Sequence, residues 1–288
     1  MALQASGRIN ASDINSELGV APDTEHPFKL AAHGGIATIN TQSGSYPNST
    51  APYKASEWYS YDHGASSGWA GTTTSLQGRW DARENLNTSN WSVASTDGGS
   101  MGQLNHQNSP TVNTSSAPYY VQYDGSNDRS TSTSNVYAGT NSSSHWSLTY
   151  WIYDTGGQSA GYERITGFSG YRCDIAESSS THYLRLYHGM WRTTSMTVSG
   201  GWTHYAICYD ASGVSNGTDF VKYYKDGELI QTGMNHGYYI NNRNYALGAK
   251  PGGGENWNGR IGQFCIYYRA LSQAEVTANH VADKGYWT

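Results

Sequence analysis

The sequence predicts a mainly β chain: an antiparallel β-sandwich with a small, mostly irregular module at its N-terminus. Three observations predict it. From Pro118 onward, short apolar runs with period-two alternation recur at even spacing, separated by Gly, Asn, Asp and Ser. Tyrosine (24) and tryptophan (10) are abundant while phenylalanine is scarce (4), and aromatics with a polar tip suit pleated, half-wet surfaces. Residues 1–65 carry too few apolar side chains to close a core of their own.

In chain order, Ser12–Gly19 reads as one or two helical turns with a Ser/Asp start and a Gly stop. A Pro- and Gly-punctuated segment follows and closes with Ala55–His63. Residues 66–115 are rich in Ser, Thr, Gly and Asn but hold Trp69, Trp80 and Trp91. They are a linker or, better, partly ordered first strands, with an opening strand near Asn90-Trp91-Ser92-Val93. The sandwich proper is expected over residues 116–288. Tyr119–Tyr123 runs into Asp124-Gly125 and Ser126-Asn127-Asp128. His145–Tyr153 alternates Trp146, Leu148, Tyr150 and Ile152 on one packed face against Ser147, Thr149, Trp151 and Tyr153. His182–Tyr187 turns Leu184 and Leu186 inward, and Trp202–Asp210 is a further strand. Phe220–Lys225, Asp226-Gly227 and Glu228–Ile230 form a hairpin with a favoured two-residue turn. Tyr245–Gly248 and Ile261–Tyr268 complete the set, the last leading into a short helix whose Ser272 and Glu275 have capping-box spacing.

The block Asn256–Val276, the Tyr119–Asp128 strand with its Asp-Gly pair and second Asp, and Trp202-Thr203-His204-Tyr205-Ala206 together resemble laminin-G-like jelly rolls of the concanavalin-A-like lectin and glucanase superfamily, over roughly residues 118–280. The resemblance implies a fold that binds sugars and surfaces more often than it performs chemistry. The pairing of Ile9–Gly19 with Ser56-Glu57-Trp58-Tyr59 resembles the N-terminal module of tailed-bacteriophage fibre, baseplate and appendage proteins.

Several chemistries are excluded. Formal net charge is -5 and charged residues are 14% of the chain, with no basic patch, so nucleic acid is not an expected partner. No run reaches membrane-spanning length. Met1–Arg8 has no apolar core of signal-peptide length, and Cys173, Cys208 and Cys265 form neither a disulfide framework nor a metal motif. The expectation is folding in a reducing cytoplasm, with Cys208 and Cys265 as small buried hydrophobes. Glycosidases of the resembled superfamily carry two glutamates flanking an aspartate on one strand face. Here the nearest approach, Asp174-Ile175-Ala176-Glu177, has the wrong spacing and reads as loop charges. The ten histidines are scattered, and catalysis is not expected.

What remains is binding and assembly. Loop-placed aromatics Trp191, Tyr238, Tyr239 and Trp257 are the sugar-stacking candidates, against the alternative that each packs beneath its loop. No cofactor is required. Ca2+ is the one the resemblance allows, with Asp124, Asn127 and Asp128 as its oxygen-rich candidates and an Asx turn as the competing reading. Ile9, Ile14, Leu18 and Trp58 are the assembly candidates, because the apolar residues of the first quarter find no core within one copy. The resemblances imply a bacteriophage virion structural protein, a tail-fibre, spike or baseplate subunit whose jelly roll binds a host surface glycan. Its expected partners are other virion proteins and further copies of itself, as a trimer if it is a fibre. A capsid-decorating or head-fibre protein and a stand-alone lectin are the alternatives.

Overall fold

The computed structural model describes residues 71–93, 101–137, 145–156, 162–169, 172–178, 183–188, 191–198, 200–210, 221–233 and 241–287. The chain divides between Trp69 and Ala70, and every described residue belongs to the second unit, Ala70–Thr288. The expected module over residues 1–65, with Ile9, Ile14, Leu18 and Trp58, lies outside the described residues.

Among the described residues there are eighteen strands and one helix. The strands are β1 (Leu76–Asp81), β2 (Asn90–Trp91), β3 (Leu104–Gln107), β4 (Thr111–Asn113), β5 (Tyr120–Asp124), β6 (Arg129–Ser132), β7 (Val136–Tyr137), β8 (Trp146–Asp154), β9 (Tyr162–Phe168), β10 (Arg172–Ser178), β11 (Tyr183–His188), β12 (Trp191–Thr197), β13 (Thr203–Tyr209), β14 (Val221–Lys225), β15 (Glu228–Thr232), β16 (Asn241–Arg243), β17 (Tyr245–Leu247) and β18 (Asn258–Tyr267). The helix is α1 (Gln273–Trp287). The first sheet runs β15-β14-β13-β8-β18-β5-β4, with β1 also on β18. The second runs β12-β11-β10-β9-β17-β6-β3-β2, and β7 and β16 pair separately. All these ladders are antiparallel, as a jelly roll requires. The helix is neither long nor apolar enough to cross a membrane.

The two sheets meet over an aromatic core. Phe264 on β18 is stacked between Trp80 on β1 (5.4 Å) and Tyr150 on β8 (5.0 Å), its partners in the strand register, and Tyr245 of the second sheet meets Trp80 edge-on at 5.7 Å. The tyrosine-rich, phenylalanine-poor composition has its reason here. Most buried hydroxyls are paired, and three inward tyrosines of the first sheet hydrogen-bond across to the second. Thr166 Oγ1 donates to Tyr150 Oη (3.0 Å), Tyr123 Oη lies 2.8 Å from Ser130 Oγ, and Tyr205 Oη donates to the Thr197 carbonyl (2.7 Å).

The outer face of the first sheet is half covered. Ser147, Thr149 and Trp151, expected on a polar face of β8, are buried because α1 lies over that part of the sheet. Trp287 packs against Trp151 and Trp202, and His280 lies over Trp151 and His204. Two neighbouring strands share the free edge of β18, β5 along residues 258–261 and β1 along 263–267, with a register break between them at Gly262. That break switches parity: Ile261 and Phe264 both face the core, while Gln263 turns outward. A Cβ on Gly262 would lie 2.1 Å from the Trp287 ring, so the helix end sits directly on this glycine. Beside it lies a buried ionic network. Arg79 Nη1 bonds Asp81 at 2.6 Å, Arg83 bridges Asp81 and Asp283, and Gln263 Nε2 donates to both carboxylates at 2.9 and 2.7 Å. Burial raises the Asp81 pKa, but hydrogen bonds and charge from Arg83, with Arg79 and Gln263, bring it below the ordinary value. Asp283 is raised, first by burial and then by the Asp81 charge against the pull of Arg83.

Most expected strands are found within a residue or two. The first strand of the sandwich, however, is Leu76–Asp81, earlier than the suggested start near Asn90. Asp174–Glu177, read as loop charges, lie inside β10, and the helix runs fifteen residues. Strand β6 escaped the hydrophobic pattern because it buries Ser130 and Ser132, hydroxyls that serve Tyr123 Oη and the Tyr245 N–H. Cys208 and Cys265 are free and buried, as expected.

Candidate functional site

Beyond the edge of α1 the side chains on the outer face of the first sheet are aromatic and polar, and among the described residues they are only half-buried. Alternation turns Tyr120 and Gln122 outward on β5, Tyr153 on β8, and Arg260 and Asn258 on β18 ahead of the Gly262 break. Gln122, Arg260 and Tyr153 stand on one line across three strands. Trp202 continues it on the fourth, one residue before the Thr203–Ile152 pair. At about 4.8 Å per strand the row is about 14 Å long, the reach of a short oligosaccharide. Tyr286 and Tyr119, edge to face at 6.2 Å, flank it, and the Tyr119 N–H donates to Tyr286 Oη at 2.9 Å. All eight side chains are half-buried.

The rings brace one another. Trp202 meets Tyr120 at 6.0 Å, Tyr153 at 5.9 Å and Trp287 at 4.8 Å. The Arg260 guanidinium lies over Tyr120 (4.7 Å) and Tyr153 (5.0 Å), and its Nε donates to Gln122 Oε1 at 3.0 Å. Cation–π contact with two rings restrains the planar group beside them. No carboxylate among the described residues is at ion-pair distance from Arg260, and its two Nη atoms have no hydrogen-bond partner there. Toward the rim, Thr155 Oγ1 donates to Asn258 Oδ1 (2.7 Å) and Asn258 Nδ2 to the Gly156 carbonyl (2.7 Å). Rigid rings, a fixed cation and a rim amide are the means by which proteins hold sugars: stacking on the pyranose face with hydrogen bonds to hydroxyls.

The expected site residues are not gathered here. Trp257 sits in the β17–β18 connection but is 0% exposed and part of the core, closed to any ligand. Trp191 opens β12 and is not in a loop. Tyr238 and Tyr239 lie outside the described residues. Tyr120, Tyr153, Trp202 and Arg260 were missed because each sits in or beside a strand, where alternation marks a second face without saying whether anything covers it.

The calcium candidates form an Asx turn. Asp124 Oδ1 accepts the N–H of Ser126 (2.8 Å), Asn127 (3.2 Å) and Asp128 (3.5 Å). Burial tends to raise the Asp124 pKa, and these N–H donors outweigh it and lower it. Asp128 is pushed up to about 6 by burial and then by the Asp124 charge. The carbonyls that would complete a cation cage already accept amide donors: Asn127 O from Asn108 Nδ2 at 2.8 Å, and Ser126 O from Asn256 Nδ2. In this arrangement the residues do not fit Ca2+, and among the described residues no group of three or more His, Cys, Asp or Glu is placed to hold a metal. As for carboxylate pairs, Glu163 and Glu177 are register partners across β9 and β10, but Glu163 is 2% exposed.

A family model described as the concanavalin A-like lectin/glucanases superfamily matches residues 124–277, more than half of the chain. No curated protein sequence matches significantly. Solved structures of similar fold include domain 4 of an extracellular arabinanase from Geobacillus stearothermophilus, in complex with arabinotriose (16% identity, TM-score 0.52, covering 71% of this chain and 98% of that one). They also include botulinum neurotoxin type C, whose cell entry depends on interaction with two ganglioside molecules (14%, 0.53, 73% and 52%). A third is Trypanosoma rangeli sialidase in complex with the inhibitor DANA (14%, 0.52, 74% and 34%). The chain thus spans about half of the toxin structure and a third of the sialidase. At these identities the likeness is one of fold.

Proposed function

The chain belongs to the concanavalin A-like lectin/glucanases superfamily, and from that premise we propose that its jelly roll is a non-catalytic glycan-binding module whose site is the open outer face of the first sheet. The observation that carries this reading is the row Gln122–Arg260–Tyr153–Trp202, prepared on rigid strands and left open where α1 ends. Its support includes two similar folds, an arabinanase domain in complex with arabinotriose and a botulinum neurotoxin whose cell entry depends on interaction with two ganglioside molecules. The test is a glycan array with the full-length protein beside Trp202→Ala and Tyr153→Ala. Binding that both variants weaken about tenfold or more, the loss of roughly one stacked ring, supports the site. Binding that neither variant changes moves the site elsewhere.

The whole chain is a bacteriophage virion protein, a tail-fibre, spike or baseplate subunit, which presents this face to a host surface glycan. This rests on the Ile9–Gly19 and Ser56–Tyr59 motifs, together with the low apolar content of the first quarter of the sequence. Labelled antibody on intact particles tests it. Label on the tail supports the reading, label on the head replaces it with the capsid-decorating alternative, and unlabelled particles overturn both.

A further inference from the structure

We infer that the site selects a carboxylate-bearing sugar, a uronic- or sialic-acid class of residue, over neutral glycans, and that Arg260 is the residue that selects it. The inference rests on the glycan-binding reading above and deepens it. A surface arginine ordinarily points into solvent or pairs with an acid. Arg260 does neither. It is half-buried on the sheet, held between the faces of Tyr120 and Tyr153 and fixed through Nε by Gln122, while its Nη edge has no partner among the described residues. The Nε contact and the two rings fix the plane of the guanidinium and leave the Nη donors unused. That edge matches a carboxylate, which accepts two parallel N–H donors. The row is otherwise neutral: Gln122, Tyr153 and Trp202 carry no charge. The nearest acid on the same face of β5, Asp124, stands one line toward the rim with Oδ1 already committed to three N–H groups. A ligand carboxylate therefore meets one uncompensated cation flanked by ring faces, on which the pyranose that bears it would stack. Repulsion from Asp124 sets its direction, away from the rim and toward Trp202.

Matched ligands test it: 3′-sialyllactose against lactose, and a galacturonic acid oligomer against its neutral galactose counterpart. Each is titrated calorimetrically into the full-length protein and into Arg260→Gln, Arg260→Lys and Trp202→Ala. A charge-assisted bidentate contact contributes about ten- to hundredfold in affinity. The expected result is that an acidic ligand binds the wild type at least tenfold more tightly than its neutral partner. Arg260→Gln should abolish that preference by weakening the acidic ligand at least tenfold more than its neutral partner, and Arg260→Lys should restore part of it. The two acidic ligands separate the sialic-acid class from the uronic-acid class. Equal binding of acidic and neutral partners, with Trp202→Ala weakening both, overturns the selection by Arg260 and leaves the glycan site standing. An acidic preference that survives Arg260→Gln also overturns it. An array on which no glycan of either class binds overturns the glycan reading, and the inference with it. Unfolding midpoints of the variants within a few degrees of wild type exclude misfolding as the cause of lost binding.

Discussion

At the scale of single residues, two positions show how closely this molecule is packed around its helix end. Gly262 has no room for a side chain, because a Cβ would lie 2.1 Å from the Trp287 ring, which is pinned between Trp151 and Trp202. A rigid indole held on both sides has nowhere to move. Gly262→Val should therefore destabilise the protein by about 1–3 kcal/mol, the usual cost of overpacking, read from the urea midpoint. An unchanged midpoint would mean that Trp287 is not held on the sheet. His204 gives a pH dependence. It is fully buried beneath His280 and Trp151, and its pKa is depressed from 6.5 to about 3 by burial first and by the His280 charge second. The unfolded chain takes the proton near 6.5 and the folded chain refuses it until about 3. The stability is thus present above pH 6.5 and lost as the pH falls from there toward 3, by at most about 1.4 kcal/mol per pH unit. His106, depressed to about 4 by burial, acts in the same direction. His204→Phe should flatten the acid limb of stability against pH in that window. A limb of unchanged slope would remove His204 as its cause.

At the scale of elements, local chemistry and remote packing part company. The helix start is local and was readable. Ser272 N–H donates to Glu275 Oε2 at 2.8 Å, Glu275 N–H reaches back to Ser272 Oγ at 3.4 Å, and Arg269 grips the Glu275 carboxylate with two nitrogens at 2.8 and 2.6 Å. The Arg269 hydrogen bonds and charge, together with the Ser272 donors, outweigh partial burial and depress the Glu275 pKa to about 2. Ser272→Ala and Glu275→Ala should each cost about 0.5–2 kcal/mol. The double variant should cost less than their sum, because both remove the same box. Strict additivity in thermal unfolding would show that the two groups act independently. The β14–β15 hairpin was equally legible, since Asp226 and Gly227 adopt the left-handed φ of 50° and 82° that a tight two-residue turn requires. Strand β6 was not. Its sequence Arg-Ser-Thr-Ser has no apolar period, and only the tyrosines of the opposite sheet make burial of its hydroxyls favourable.

At the scale of the whole molecule, both sheets close within Ala70–Thr288. β1 and β5 complete one edge of β18, and β2 and β3 extend the second sheet. A chain beginning at Ala70 keeps these pairings and the Thr72 N–H to Asn279 contact over the helix. It should unfold in one cooperative transition with a midpoint close to that of the full chain, and it should fail to enter particles. A broad, non-cooperative melt would show that residues 1–69 belong to the same core. Self-association is expected of the full-length chain and not of the truncated one. Light scattering checks this, and a full-length mass near 31.4 kDa at micromolar concentration would refute it. The protein should also show no turnover of β-glucans, laminarin or alginate. Hydrolysis abolished by Glu163→Gln would overturn that expectation.

The sequence by itself determined the fold class, the strands with strong alternation, the Asp226-Gly227 turn, the capped start of α1 and the burial of Cys208 and Cys265. Each of these follows from contacts between residues near in the chain or from a period of two. Only the tertiary structure decided which aromatics face water. Trp257, placed in a loop by its neighbours, is sealed in the core. Trp202 and Tyr153, placed in strands by theirs, stay half open beside Arg260. Alternation assigns a side chain to one face of a sheet, but whether that face is covered depends on where a helix that begins 71 residues after Trp202 and 120 after Tyr153 comes to lie. Here the Trp287 ring lies over Gly262, and the half-buried row beside it is the one to which binding is assigned above.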